Sequence, residues 1–574
     1  MPFLSHITFM RKIYFLLLFL CLAVNMQARE RTVQEMKRIA LNQLGLSSSS
    51  TRSNATTEVR KMYDADMLAV YGTESAFVVV SKDTEFAPVL GYSDAPFVAD
   101  NMPTDFLWWM AQITASMKRG YQSNYSPATR STGDGSYLVT ARWGQTSPYS
   151  DACPSYTGCV ATAMSQIMYY YKYPAQGEGT DCAYTVNGTD NARSFSTTYA
   201  WNKMVDDYYH STLFISKPRK KAVADLMFDA GSAVHMQYTN TGSGAYTNDA
   251  ATAFVKNFHY DSLSVNLLSR FLYSDQEWMN IISNEIQNKR PILYAASDTV
   301  AGGHAFIFDG IDDNGLVHIN WGWDGSANGF YNIADLSPND TILSTDDHYH
   351  FNLGQQMIIG LKAHTNADTE DSYHSQWCSD SIVAYSTPGK DSLGVEIANL
   401  YNMDYQDFSG EILLLLISQA QKDTTAVSLI DIPKDTKSTV PYGSGFTFRN
   451  NEGKVEVNYF DLKKDLGMKA GSYKVCLASR SDRQAVPTVL RVMGGESSSL
   501  FTYSADGMIT FNTPTGINNV LQTSPTSKDN SVRVYDETGK LVYVSSSETF
   551  RIDNIRGHGL FIIKQGTRTR KVIR

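Results

Sequence analysis

The apolar positions of this chain change their spacing along its length, and each change predicts an element. Over residues 32–44 they recur at helical spacing, which predicts an amphipathic helix. Short apolar runs at 67–71, 76–81 and 89–92 predict three strands, and Asn101-Met102-Pro103 opens a second helix over 104–119. After Thr157-Gly158 the side chains Val160, Ala163, Met164, Ile167, Met168 and Tyr171 stand three and four residues apart, so a third helix carries Cys159 on its first turn and stops at Pro174. Further on, Ala305-Phe306-Ile307-Phe308 follows Gly302-Gly303-His304 and predicts a buried strand headed by the histidine.

From about residue 371 the pattern turns to short apolar or alternating runs, such as 411–417 and 472–477, broken by turn signals roughly every dozen residues. This predicts a β-sandwich that ends near Val492. From about residue 513, strand-like runs at 532–542 and 559–564 around glycine turns predict a small separate β-module. Two polar stretches punctuate the first part: a Ser/Thr/Asn-rich loop at 47–57, and a Ser/Gly-rich segment at 122–135 of the kind that proteases cut. A chain of 574 residues patterned in this way predicts several domains.

At the amino terminus Arg11-Lys12 precedes an apolar run over 13–24, followed by Asn25-Met26-Gln27-Ala28 and the charged Arg29-Glu30. That run is too short to span a bilayer at about 1.5 Å per residue, so residues 1–28 read as a secretory signal, with no stable membrane span. Cys21 lies within it, but Leu20 stands where a lipid-attachment motif wants a small residue. Five cysteines remain beyond the signal, Cys153, Cys159, Cys182, Cys378 and Cys476, and an odd number leaves at least one free thiol. The net charge of -9 carries no long acidic or basic block, which gives no reason to expect a nucleic-acid partner. No cofactor or metal is expected.

The candidate chemistry lies in the third helix and in the strands and turns downstream of it. A thiol with a pKa of about 8.5 is mostly protonated at neutral pH, and both a helix amino terminus and a nearby imidazolium favour its thiolate. Cys159 has the first, and His304, heading a strand behind two glycines, is placed to move the proton between thiol and leaving amine. Asn320, in Asn320-Trp321-Gly322-Trp323, can accept the imidazole N–H and hold the ring in one tautomer, with Trp321 covering that bond. A tetrahedral intermediate needs donors aimed at its oxyanion, and Gln145 in Trp143-Gly144-Gln145 is the best side-chain candidate.

These blocks resemble one family. Trp143-Gly144-Gln145, Pro148-Tyr149, Cys153-Pro154, Thr157-Gly158-Cys159-Val160-Ala161, Gly303-His304-Ala305 and Asn320-Trp321-Gly322-Trp323 are similar to the streptopain family of secreted cysteine endopeptidases. Phe77-Val78-Val79-Val80-Ser81 and Pro88-Val89-Leu90-Gly91-Tyr92 resemble that family's inhibitory propeptide. The likeness implies an α+β chain: a propeptide at 29–134, a papain-like catalytic domain at 135–363 and all-β modules beyond. It implies that Cys159 is the nucleophile, His304 the general base, Asn320 the orienting residue, Trp321 the cover and Gln145 the oxyanion donor. Protein or peptide substrates, and the propeptide as intramolecular inhibitor, are the implied partners. The accessory sandwich is expected over 371–495. Residues 513–574, with Val534-Tyr535-Asp536, Gly539-Lys540 and Lys571-Val572-Ile573-Arg574, resemble the sorting domains of proteins exported by the type IX route, which implies an extracellular or outer-membrane surface location.

Two other readings stay open on residues alone. A surface adhesin would use the β-modules to bind and keep the middle unit as a scaffold, against which the intact Cys159, His304, Asn320 and Gln145 argue. A transglutaminase or amidase would share the same acyl-transfer residues. Residues 231–246 are expected to help line the substrate cleft.

Overall fold

The computed structural model describes residues 29–46, 58–123, 125, 136–210, 214–298, 302–336, 354–364, 374–386, 392–435, 438–448 and 457–511, and the strands of the carboxy-terminal module. The signal at 1–28, the loop at 47–57 and most of the polar stretch at 122–135 lie outside the described residues. The chain forms two compact units, one of residues 1–122 with 326–335 and one of 123–325 with 336–574.

The first unit is built on α1 (Val33–Gln43) and an antiparallel sheet of β1 (Arg60–Asp64), β2 (Leu68–Gly72), β3 (Phe77–Ser81) and β4 (Val89–Ser93). Thr32 and Glu35 close a reciprocal capping box at the start of α1, which supplies partners for two otherwise orphaned N–H groups. Every residue of β2 and β3 is buried, because both faces of the sheet are covered. Met36 and Ala40 of α1 pack against Ala69, Tyr71, Val78 and Val80. On the other face Phe106 of α2 (Thr104–Lys118) meets Phe77 edge-on at 5.6 Å.

The unit takes in one strand from far along the chain. Gly329–Tyr331 pairs with β4, Tyr331 lies 4.8 Å from the Trp109 ring, and Trp109 Nε1 donates to the Asn332 carbonyl at 3.0 Å. Gly91 is required there, since a Cβ would fall 2.3 Å from the Tyr331 ring. The pattern of the sequence places these residues in the catalytic domain, and their packing places them in this unit.

At the centre of the second unit is α3 (Cys159–Tyr171), with all residues from Val160 to Tyr169 buried. It ends where Lys172 turns left-handed, two residues before Pro174. A hairpin of β5 (Gln176–Val186) and β6 (Thr189–Thr198) and the helices α4 (Lys217–Ala233) and α5 (Thr247–Lys256) surround it. Beyond β7 (Asn266–Ser269) and α6 (Asp275–Gln287), the chain forms β8 (Ile292–Asp298), β9 (Gly302–Ile311), β10 (Val317–Asn320) and β11 (Gly354–Ile359). Their antiparallel order is β10-β9-β8-β11-β7. Leu293, Ala305, Ile307 and Ile358 on one face of this sheet join the core around Met164, Ile167 and Met168 of α3. Each large apolar side chain so buried contributes roughly 1.5–3 kcal/mol.

The sandwich has a core of Trp377, Leu393, Val395 and Leu400 facing Ile412, Leu414, Leu416, Val475, Leu477 and Phe501. Its end near Val492 needs correcting. Ser498–Tyr503 pairs with the strand Gly471–Ser481, and Ile509–Phe511 closes a hairpin on it, because Phe501, Tyr503 and Ile509 complete the same core. The sandwich is fastened to the rest of the unit: Arg491 Nη1 donates to the Leu272 carbonyl at 3.0 Å, Gly494 N to the Phe271 carbonyl at 2.9 Å and Gln356 Nε2 to the Tyr442 hydroxyl at 3.0 Å. The terminal module is a four-stranded antiparallel sheet in the order Leu541–Ser546, Ser531–Tyr535, Leu560–Gln565, Arg568–Ile573. Among the described residues no helix is long and apolar enough to cross a membrane. The expected α+β class, a mixed helix-and-sheet unit with all-β modules behind it, is what the chain adopts.

Candidate active site

Helix α3 is entered through Gly158, whose φ is 84° and whose missing Cβ would lie 2.7 Å from the Met236 thioether. The left-handed step and the close approach both call for glycine. Cys159 is next, half-buried, as the first helical residue, with no acidic side chain in the first turn. Its thiol therefore stands at the end of the helix where unpaired N–H groups favour an anion. The Thr157 and Thr162 hydroxyls pair at 2.8 Å, and Thr162 Oγ1 donates to the Gly158 carbonyl at 3.0 Å, fixing the turn beneath the cysteine.

Burial pushes the other thiols up: Cys153 to about 12, Cys476 to about 11, and Cys182 and Cys378 in the same direction. All five are unpaired with one another, which resolves the odd count in favour of free thiols.

His304 is half-buried on β9, opposite Ala296 of β8. The pairing with β8 is unbroken from Gly302 to Phe308, so His304 shares its face with Phe306, while Ala305 and Ile307 turn towards the α3 core. Trp321, wholly buried, packs on Phe306 at 4.8 Å and so belongs to the histidine's side of the strand.

Asn320 ends β10, paired with Ile307. Its Nδ2 donates to the Ala141 carbonyl at 2.7 Å and to Gln166 Oε1 at 3.1 Å, while its Oδ1 accepts from Gly322 N at 3.1 Å. Gln145 is half-buried, and its carbonyl accepts Thr157 N at 3.1 Å, tying it to the turn that leads into Cys159.

Residues 143–331 match the Peptidase C10 family. Residues 143–331 are a Peptidase C10 domain, similar in sequence to streptopain. The chain is 29% identical over 397 residues to the thiol protease/hemagglutinin PrtT of Porphyromonas gingivalis, covering 62% of this chain and 45% of that protein. To streptopain of Streptococcus pyogenes it is 29% identical over 321 residues, covering 50% of this chain and 78% of the relative. The chain thus spans less than half the length of the first of these relatives. Among solved structures, a prointerpain A fragment of Prevotella intermedia is 31% identical, with a TM-score of 0.46 over 54% of this chain and 99% of that one. Active interpain A of the same organism is 34% identical, with a TM-score of 0.33 over 40% and 95% of the two chains.

Two residues of this C10 domain escape a reading of the sequence. Gln166 is wholly buried on α3, where it accepts from Trp143 N at 3.1 Å and from Asn320, and its Nε2 donates back to Asn320 Oδ1 at 3.4 Å. It thereby joins the helix of Cys159, the segment of Gln145 and the strand of Asn320. Its one signal is a lone amide on an apolar helix, at three- and four-residue steps from Cys159 and Thr162. Asp324 is the other. It is left-handed at φ 54°, its N donates to the Trp143 carbonyl at 3.3 Å, and a Cβ on Gly144 would lie 2.5 Å from its carboxylate. Burial pushes Asp324 up to about 6, opposed by the Tyr149 hydroxyl and aided by Asp207. Tyr149 is itself raised by burial and then by the Asp324 charge.

Proposed function

We propose that the chain is a secreted zymogen endopeptidase that cleaves peptide bonds through Cys159. The observation that carries this reading is the placement of Cys159 at the first turn of a buried helix, bonded through Gln166 to the strand of Asn320 and the segment of Gln145. The Cys159 thiolate attacks the scissile carbonyl carbon, forming the S–C bond while the π electrons move to oxygen. The Gln145 side-chain amide and the Cys159 backbone N–H donate to that oxyanion. His304, holding the thiol proton, passes it to the leaving amine as the C–N bond breaks, and then takes a proton from the water that hydrolyses the thioester. Asn320 orients the imidazole and Trp321 keeps water from the bond between them.

Residues 29–134 act as the inhibitory prosegment, removed by a cut in the polar stretch before the C10 domain. A separate hydrophobic core around Met36, Ala40 and Val78 supports that role. The accessory sandwich and the module at 513–574 are exported with it, the latter as a sorting domain of the type IX kind, and proteins or peptides are the substrates. Cys159→Ala tests the core of the reading: the variant should accumulate as full-length precursor with no activity on casein. Maturation of that variant alone, with casein digested at the normal rate, would remove Cys159 from the mechanism.

A further inference from the structure

Residues 136–145, which lead from the proposed cut to Gln145, run as an extended strap outside any regular strand. Val139, Ala141 and Trp143 are buried, while Thr140 and Arg142 between them are exposed. Every second residue is held by the sheet or by α3. Tyr137 bridges to Gly310, and its ring lies on the His318 imidazole at 4.0 Å between centroids, 4° from parallel. Val139 N donates to Asp309 Oδ2 at 2.7 Å, the Ala141 carbonyl accepts from Asn320, and Trp143 N donates to Gln166. Gln145 is the next position in this alternation.

The outer end of the strap rests on a buried hydrogen-bonded couple that the proposed reaction does not use. Asp309 Oδ1 lies 2.6 Å from His318 Nδ1, and both side chains are shielded from solvent. Asp309 sits on the strand of His304 and His318 on the strand of Asn320. The second carboxylate oxygen of Asp309 takes Val139 N, and its main-chain carbonyl takes Leu138 N at 3.0 Å. A Cβ on Gly310 would fall 2.8 Å from the Ser136 carbonyl, so the strap lies directly against β9.

A segment without a strand ladder has its position set by such scattered fastenings, here the side chains of Asp309, Asn320 and Gln166 together with single main-chain bonds to Asp309, to Asp206 and, at the inner end, from Thr157 N to the Gln145 carbonyl. Misplacing a reacting or stabilising group by about 1 Å can cost on the order of a hundredfold in rate. We propose that Tyr137, His318 and Asp309 are positioning residues for the oxyanion donor: they clasp the outer end of the strap whose inner end presents Gln145. This inference rests on the assignment of Gln145 above.

The test is a double-mutant cycle in the processed protein obtained from the full chain, with rates on a chromogenic peptide amide normalised to the Cys159 that iodoacetamide labels. Tyr137 is 38% exposed, so its truncation leaves no large cavity. Tyr137→Ala should lower kcat by about five- to tenfold with KM little changed, and Tyr137→Phe, which keeps the stacked ring, should restore it. In a Gln145→Ala background, itself slowed by about a hundredfold or more, Tyr137→Ala should add nothing. An unchanged kcat in Tyr137→Ala, failure of Phe to rescue, or the same loss with and without Gln145 would overturn the clasp. If Gln145→Ala alone leaves kcat intact, the oxyanion assignment falls and takes the clasp with it.

Discussion

Gln166→Leu is the substitution whose outcome the structure specifies most fully. Leucine fills a similar volume inside the core of α3, so the change acts on hydrogen bonds more than on packing. The wild-type amide accepts Trp143 N and Asn320 Nδ2, each at 3.1 Å, and donates to Asn320 Oδ1 at 3.4 Å. Asn320 keeps the Ala141 carbonyl and Gly322 N as partners, whereas the buried Trp143 N–H loses its acceptor. An orphaned buried donor costs about 1–3 kcal/mol, and the weakened Asn320 bonds add about 1 kcal/mol more, so the loss should be about 2–4 kcal/mol. At roughly 2–4 °C per kcal/mol for a domain of this size, the C10 transition should fall by about 5–15 °C. Calorimetry of the full chain in a Cys159→Ala background, which on the proposed mechanism cannot digest itself, reads this directly. A shift of less than about 1 °C, well below that range, would refute the view that Gln166 ties the segments of Cys159, Gln145 and Asn320 together.

Two further outcomes can be checked. Iodoacetamide near pH 7 should label Cys159 well before Cys153, Cys182, Cys378 and Cys476, whose thiols burial holds in the protonated form, and equal labelling across the five by mass spectrometry would contradict this. Asp324, raised to about 6 by burial, keeps a proton in the folded chain that the unfolded chain, near 3.8, has released; stability therefore falls as pH rises through that window. Asp324→Asn should remove the slope, so that in urea unfolding the variant gains about 1–3 kcal/mol on the wild type between about pH 4 and pH 7, after allowance for partial exposure. An identical difference at both pH values would show that Asp324 is not the titrating group.

Most of the scaffold is legible in the sequence because its signals are local. The spacing of Val160, Ala163, Met164 and Ile167 marks α3, and the capped run after Thr32 marks α1 to within a residue at each end. What escapes depends on contacts distant in sequence. β1 carries no readable pattern because Arg60–Asp64 is largely exposed and lacks apolar alternation. The strand Gly329–Tyr331 reads as part of its sequence neighbours until Tyr331 is found against Trp109. The pattern ends the sandwich too early because Ser498–Tyr503 opens on serines, while its burial comes from Phe501 and Tyr503 on a strand that pairs backwards. At the site, the motif residues are readable one by one, but Gln166 acquires its role only when Trp143 and Asn320 arrive from opposite ends of the domain.

The fastening of the sandwich separates two meanings of the word domain. As a unit of inheritance the peptidase runs over 143–331, yet β11, an interior strand of its sheet, lies beyond that limit. The main-chain oxygens of Ser262, Phe271 and Leu272 find donors in Arg483, Gly494 and Arg491, residues of the sandwich. A chain stopped after residue 363 would retain the sheet but leave those carbonyls to water and strip the cover from Tyr273, over which Arg491 lies. What evolution copies as one piece and what closes its own hydrogen bonds as one piece therefore have different borders here, and the physical border is the larger.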